Sequence, residues 1–424
     1  MKKILVINLH STQNAGDAAL LEMTLGSLGP VFPGAQVTLA MNEPDPVFDR
    51  DNVHVVQSFS AHFRRFDVNR RAWWRVEAIG LGLVIGLATA IWYQIFRQSP
   101  GWIPSAWREL LLAYMEADLI VSCPGNIFST MGRVGMPLLV SAYTVAYGLM
   151  LGKPLYVMPQ SIGPLRRPWE RRLVGKLYSK ARLVFVREPV SWRLAQDIGL
   201  DANARLTPDL AFAYPPEPTG KAAEILRQWG INRHQPLVGV TVINRLIRRV
   251  AGQEWDQYER STARALSNFV SKYGGTVVFF PQVIGPTERE DDRVAARRVI
   301  AQMTRLECAV LIEEQLSPGM LKAMYGLMDA FVATRMHSAI FATSAAVPTL
   351  LIEYLHKMRG LAEMLHMEKW TLELTQVNED NLWSTLDALW RERLAVREQL
   401  ERSVPSLIEQ VNSIGAIIAG DVNG

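Results

Sequence analysis

Past residue 115 the chain repeats one pattern: a short apolar, β-rich run, then a polar or Gly/Pro turn, then a helical stretch. ADLIVSCPGN (117–126), KPLYVMPQSIGP (153–164), ARLVFVREPVSW (181–192) and ARLTPDLAFAYP (204–215) each follow it. Runs that are apolar almost continuously, rather than in alternation, predict strands buried on both faces. That is the mark of parallel strands covered by helices on either side. Lys3 to Leu9 reads as a first strand, because His10, Gln13, Asn14 and Asp17 arrive too soon after it for a signal-peptide core.

After Tyr214 the segment PPEPTG (215–220) has the composition of a linker, and the alternation restarts beyond it with PLVGVTVINR, GTVVFFPQVIGP, CAVLIEEQLSP, DAFVATRMHS and PTLLIEYLHK. The expectation is an α/β protein of two parallel-sheet domains: residues 1–215, residues 221–375, and a helical tail over 376–424 that packs across one or both. A length of 424 residues also exceeds what one ordinary core organises. MPQSIGP (158–164) and FPQVIGP (280–286) both close a strand, a hint of two similarly built halves.

Composition narrows the classes. With 49% hydrophobic and 20% charged residues the chain is globular. Its 45 basic and 41 acidic side chains are spread without a cationic tail, which argues against nucleic acid as a partner. Cys123 and Cys308 have no Cys or His nearby at metal-ligand spacing, so a reducing, cytoplasmic setting is the simpler inference.

One stretch departs from this soluble picture. AIGLGLVIGLATAIWYQIF (78–96) is uncharged between Glu77 and Arg97, and the basic, aromatic HFRRFDVNRRAWWR (62–75) precedes it. Its length approaches the ~20 residues of a membrane-spanning helix. A single crossing would divide the strands of one sheet between two sides of a bilayer. A monotopic or re-entrant insert over 62–97 is therefore the membrane reading, and a buried helix or a homo-oligomer contact is the alternative.

In open parallel sheets, ligands gather beyond the carboxyl ends of the strands. The polar residues at those ends are Asn14 and Asp17, Asn126, Gln160 and Ser161, Arg187, Asp209, Asn244 and Arg245, Gln282, Arg335 with His337, and Glu353 with His356 and Lys357. The cations Arg187, Arg245, Arg335 and Lys357 are more than a neutral ligand needs, so they imply a small anionic substrate.

With those residues set out, the chain resembles the polysaccharide pyruvyl transferases. The resemblance is carried by NAGDAALL (14–21), EADLIVSCPGN (116–126), GKPLYVMPQSIGPL (152–165), VREPVSWRLAQDIGL (186–200) with TPDLAF (207–212), and RMHSAIFATSAAVPTLLIEYLHKMRG (335–360). SCPGN departs from the family's usual glycine-rich loop, and the 78–96 insert lies outside its shared core. The resemblance implies two Rossmann-like domains in a GT-B-like arrangement with a cleft between them. It also implies transfer of the enolpyruvyl group of phosphoenolpyruvate onto two hydroxyls of a sugar as a ketal, in polysaccharide or exopolysaccharide biosynthesis for the cell envelope.

On that resemblance Arg187 and Arg335 are expected at the carboxylate and phosphate of the donor, and by their strand-end positions Lys357 and Arg245 are expected to join them there. His337 is expected as general acid or base, its ordinary pKa near ~6.5 suiting proton transfer at neutrality. Asn14, Asp17, Asn126 and Gln160 are expected at the acceptor sugar, free or lipid-linked. The scheme calls for no metal and no organic cofactor.

Other readings stand beside these. Asp17 is also a natural helix cap, Glu188 a partner for Arg187, Asp209 a structural residue, and Asp291 with Asp292 a solvated helix face. A GT-B glycosyltransferase using a nucleotide sugar is the rival enzyme, and a silent membrane-associated scaffold of polysaccharide assembly is the rival outside enzymes. The expected location is the cytoplasm, at the inner face of the cytoplasmic membrane if the 62–97 insert meets lipid.

Overall fold

The computed structural model describes residues 1–48, 52–64, 72–130, 135–231, 233–244, 252–285 and 287–424. It divides into two compact units. The first is Met1–Thr12, Leu20–Asp209 and Asn412–Gly424; the second is Gln13–Ala19 and Leu210–Val411.

The first unit holds a seven-stranded sheet made of β1 (Lys3–Leu9), β2 (Gln36–Met41), β3 (Val53–Gln57), β4 (Leu119–Ser122), β5 (Leu155–Gln160), β6 (Leu183–Val186) and β7 (Ala204–Leu206). The strands run parallel in the order β3-β2-β1-β4-β5-β6-β7, so the winding reverses between β1 and β4. Strands β4, β5 and β6 are buried at every position, as their unbroken apolar sequences require when helices cover both faces. Leu5, Ile7, Ile120, Val157 and Val184 form the core with Tyr114, Phe128 and Tyr147 from the covering segments.

The second unit holds β8 (Leu237–Thr241), β9 (Thr276–Phe279), β10 (Ala309–Leu311), β11 (Ala330–Ala333), β12 (Thr349–Glu353) and β13 (Thr371–Glu373). These are parallel in the order β10-β9-β8-β11-β12-β13, with the reversal between β8 and β11. The carboxyl ends of β8 and β11 therefore flank the crevice where open α/β sheets hold ligands.

The hint of a repeat resolves into local likeness without equivalent position. In both PQxIG segments a buried tyrosine donates to the glutamine carbonyl: Tyr178 to Gln160 Oε1 at 2.7 Å and Tyr325 to Gln282 Oε1 at 3.1 Å. Gln160 ends β5, two strands beyond the reversal in its sheet, whereas Gln282 follows β9, on the opposite side of the reversal in the other.

The helical tail is two helices. Glu379–Asn412 packs almost wholly with the second unit and Ile414–Asn423 with the first. Asp387 of the longer helix accepts from Lys272 Nζ and Tyr273 Oη, and Asp421 of the shorter one accepts from Tyr156 Oη.

Lys322, on the helix Pro318–Tyr325, is buried and donates to the carbonyls of Phe212 at 2.9 Å and Tyr214 at 2.7 Å, fastening the segment that opens the second unit. Burial lowers its pKa from 10.5 to about 8. Between those values the unfolded chain holds a proton that the folded chain has released, so this residue makes stability rise with pH across the window. Urea denaturation of the wild type against Lys322→Met is expected to show that rise, on the order of 1 kcal/mol per pH unit, in the wild type only.

Candidate functional site

The second unit brings three separated sequence motifs together beyond the reversal of its sheet. β11 ends at Ala333, Arg335 occupies the N-cap position of the helix Met336–Ser344, and His337 sits in that helix's first turn. This strand-to-helix transition is why the RMHS segment is polar between two apolar runs: its side chains occupy the sheet edge while the flanking residues form the strand and the covering helix.

The Asn14–Asp17 turn lies against His337. Asn14 caps the helix Ala15–Leu28, its Oδ1 accepting from the Gly16 N–H at 3.0 Å and its Nδ2 donating to Asp17 Oδ2 at 3.0 Å. Asn14 also bridges Val283, and the Ala15 N–H donates to the Gln282 carbonyl at 3.2 Å. At Gly16 the backbone comes so close to the imidazole that an added Cβ would lie 1.9 Å from His337 Nδ1. Glycine here is a matter of room. Asn14 and Asp17, expected at the acceptor in the N-terminal domain, thus belong with the second unit and its histidine.

Asp292 organises the rest. It opens the helix Asp292–Ile300 and is almost fully buried, at 1% exposure. Its Oδ2 accepts from Arg335 Nε at 3.1 Å and from the N–H groups of Gln282 and Val283 at 3.2 and 3.0 Å, while Oδ1 takes Arg335 Nη2. Burial pushes the Asp292 carboxyl up, opposed by Arg335 and by these two N–H groups. Burial also works against the Arg335 charge, but Asp292 and Tyr354 outweigh it and the guanidinium stays above its ordinary value. The reading of Asp291 and Asp292 as a solvated face is therefore wrong. Asp291 caps the helix, accepting from the Arg293 N–H at 2.9 Å, and Asp292 fills a buried ion pair. Sequence offers only a weak sign of this, a carboxylate pair just ahead of a helix and shortly after a strand-end loop.

Hydroxyls complete the edge. Thr241 Oγ1 and Ser338 Oγ are 2.7 Å apart, Ser338 Oγ donates to the Arg335 carbonyl at 2.7 Å, and Tyr258 Oη lies 2.7 Å from Thr334 Oγ1. Asn244, beyond β8, donates to the Glu288 carbonyl at 2.8 Å and accepts from Arg298 at 3.2 Å. At the end of β12, Glu353 accepts from Arg359 at 2.9 Å, and beyond it His356 and Lys357 begin the helix His356–Leu365 with both half-buried. Arg245 lies outside the described residues.

The remaining expected site residues are in the first unit. Arg187, just past the end of β6, is 1% exposed; its Nη1 donates to Asp209 at 2.6 Å and its Nε to Ser161 Oγ at 2.8 Å. It ties strand ends together and has no surface left for a donor anion. Its neighbour Glu188 instead caps the helix Pro189–Asp197 through the Ser191 N–H. Gln160 is likewise sealed. Its Nε2 donates to Ser122 Oγ and the Cys123 carbonyl, both at 3.0 Å, its Oε1 accepts from Tyr178, and the side chain is fully buried. Asn126 is half-buried, its amide nitrogen directed at the carbonyls of Gly163 and Ser161 at 3.2 and 3.3 Å.

Comparison with known proteins agrees with this arrangement of motifs. The amylovoran biosynthesis protein AmsJ of Erwinia amylovora is 20% identical over 283 residues, covering 65% of this chain and 66% of that protein, just under two thirds of its length. Among solved structures, UDP-GlcNAc 2-epimerase from Neisseria meningitidis bound to UDP-GlcNAc is similar over 100% of both chains, with a TM-score of 0.58 and 12% identity. A putative UDP-N-acetylglucosamine 2-epimerase from Listeria monocytogenes is similar over 100% of this chain and 97% of its own, with a TM-score of 0.59 and 12% identity. At those identities the likeness establishes the fold alone. The family pattern of the polysaccharide pyruvyl transferases matches residues 14–356, spanning the Asn14 turn, the Gln282 loop and the Arg335–His337 edge, and the chain belongs to that family.

Proposed function

We propose that this chain transfers the enolpyruvyl group of phosphoenolpyruvate to two hydroxyls of a sugar, in a polysaccharide or a lipid-linked oligosaccharide, giving a pyruvate ketal and phosphate. The observation that carries the reading is the Asn14–Asp17 turn seated on His337, with the Gln282–Val283 loop behind that turn and Arg335 held by Asp292 beside that loop.

In this scheme the first turns of the helices Met336–Ser344 and His356–Leu365, with the Lys357 ammonium, hold the donor's carboxylate and phosphate. Arg335 contributes charge in an orientation fixed by Asp292. A proton is delivered to C3 of the donor by His337, which leaves oxocarbenium character at C2. One sugar hydroxyl adds there and loses its proton, phosphate departs with its bonding electrons, and the second hydroxyl closes the ketal as its proton is released. Asn14 and Asp17 pin the backbone turn that keeps the imidazole in place.

The first test is thermal shift of the purified protein against phosphoenolpyruvate, phosphate and a set of UDP-sugars. Stabilisation by phosphoenolpyruvate is expected. No response to it together with a clear response to a UDP-sugar would overturn the reading in favour of glycosyl transfer. With polysaccharide from the source cells as acceptor, His337→Gln is expected to keep donor binding while phosphate release falls about 100-fold or more.

Gly16→Ala is expected to lower the same rate at least about tenfold, with a stability loss of about 1–3 kcal/mol from overpacking. Gly26→Ala, where an added Cβ in the same helix meets nothing, is the control: the rate is expected to be unchanged and stability to rise by up to about 1 kcal/mol. Asp292→Asn breaks a buried ion pair from one side, and chemical denaturation is expected to show a loss of about 3–5 kcal/mol.

A further inference from the structure

The helix Ala72–Phe96 is built inside out. A helix on a water-soluble protein turns its large apolar residues inward and its small or polar ones outward. Here Gly82, Gly86, Thr89 and Ala90 face the protein. At Gly82 an added Cβ would lie 2.8 Å from the Phe63 ring, and at Gly86 it would lie 1.8 Å from Tyr143 Oη. Polar contacts fasten the same side: Thr89 Oγ1 is 3.0 Å from Tyr147 Oη, Gln94 donates to the Met150 carbonyl at 2.6 Å, and Lys153 donates to Tyr93 Oη at 3.0 Å.

The outward side is a stripe of large aliphatic residues. Leu81, Val84, Leu87, Ile91 and Ile95 follow one another at helical spacing and are between 51% and 66% exposed. Residues 79–96 are long and apolar enough to cross a membrane, yet only 22% of them are buried. The close packing and hydrogen bonds of the inner side make the helix part of the first unit, so a crossing would have to strip it from its own fold.

What covers the stripe is indicated by charge. Between residues 62 and 97 there are six arginines, Arg64, Arg65, Arg70, Arg71, Arg75 and Arg97, against Asp67 and Glu77. Residues 65–71 lie outside the described structure, and their contribution here is their sequence alone. The arginines fall at the two ends of the apolar run, and Trp92, Phe96 and Trp102 stand exposed at its carboxyl end. Cations and tryptophans bordering an apolar band are the composition of a headgroup boundary. A second copy fits poorly, because pairing two such helices in either direction sets arginine-bearing ends against each other.

We propose that the outward face of the Ala72–Phe96 helix seats in the surface of an anionic lipid bilayer. Leu81, Val84, Leu87, Ile91 and Ile95 enter the acyl boundary, with Trp92, Phe96 and Arg97 at the headgroup level. The helix lies along the membrane, held between lipid and its own unit. This inference rests on the helix and is independent of the reaction proposed above.

The test is flotation of the full chain with vesicles of phosphatidylglycerol and phosphatidylethanolamine, and with vesicles of phosphatidylcholine alone. It compares the wild type with Val84→Glu/Ile91→Glu. Light scattering in lipid-free buffer and thermal melting are measured on both proteins. Because both positions are exposed, the variant is expected to melt as the wild type does; Leu81→Gln/Leu87→Gln serves as a second, uncharged variant. The wild type is expected to float with the anionic vesicles and at least tenfold less with phosphatidylcholine, and both variants to lose at least tenfold of the anionic binding. Failure of the wild type to float, or equal flotation of folded variants, would overturn the proposal. So would a wild-type dimer that the substitutions convert to monomer, which would assign the face to a second copy of the chain.

Discussion

A buried carboxylate can hold several parts of a protein at once because it accepts from many directions, and Asp292 does this in the second unit. It takes two donors from Arg335 and two backbone N–H groups from the Gln282–Val283 loop. That loop in turn receives the Asn14 turn, and the turn sits on His337. The geometry of the histidine is thus set by a chain of contacts that begins at one desolvated charge. Such a pair adds little net stability over a well-packed apolar substitute, but removing one member leaves an uncompensated charge inside. Its value here lies in orientation. A guanidinium gripped along one edge cannot swing, so the strand end that carries it is fixed relative to the loops around it.

The sheet architecture was legible because parallel strands buried on both faces write themselves as unbroken apolar runs. KILVINL, LIVS and LYVMPQ each became strands where the hydrophobic runs had placed them. What patterning cannot express is the partner of a polar residue. Arg187 looked like an anion ligand because it ends a strand, and it is instead neutralised by Asp209, a residue that sequence gave no means of pairing with it. Gln160 looked available for the same reason and is consumed by Ser122, Cys123 and Tyr178. A strand-end position says that a side chain is near the functional edge of a sheet. Whether it faces the ligand or braces the edge depends on contacts that only the assembled fold supplies.

The two units brace their sheet edges differently. In the first, the edge between β1 and β4 is a closed network: Asn8 donates to Ser122, which also receives Gln160, itself held by Tyr178. Burial pushes the Tyr178 phenol well above its ordinary pKa, so it remains a neutral donor to the amide. Asn8 adopts a left-handed backbone, φ 64°, which asparagine tolerates better than most residues and which turns its side chain into this network. In the second, an arginine, a histidine and two helix first turns stand at the corresponding edge. One edge is finished as structure and the other carries groups suited to anion binding and proton transfer.

The close approach of Gly16 to His337 also bears on how the protein is made. The two residues lie more than three hundred positions apart, yet both belong to the unit that otherwise begins at Leu210. During synthesis the Asn14 turn emerges first and has no imidazole to rest on until the second sheet has left the ribosome and folded. Contacts this distant in sequence form late, because loop closure has to be met before they return anything. A chain interrupted before residue 337 contains every strand of the first sheet, but it leaves the nascent turn without the surface it is shaped to fit. Completion of the edge around the histidine therefore reports that the chain has been made and assembled from its first strand to the helix that follows its eleventh.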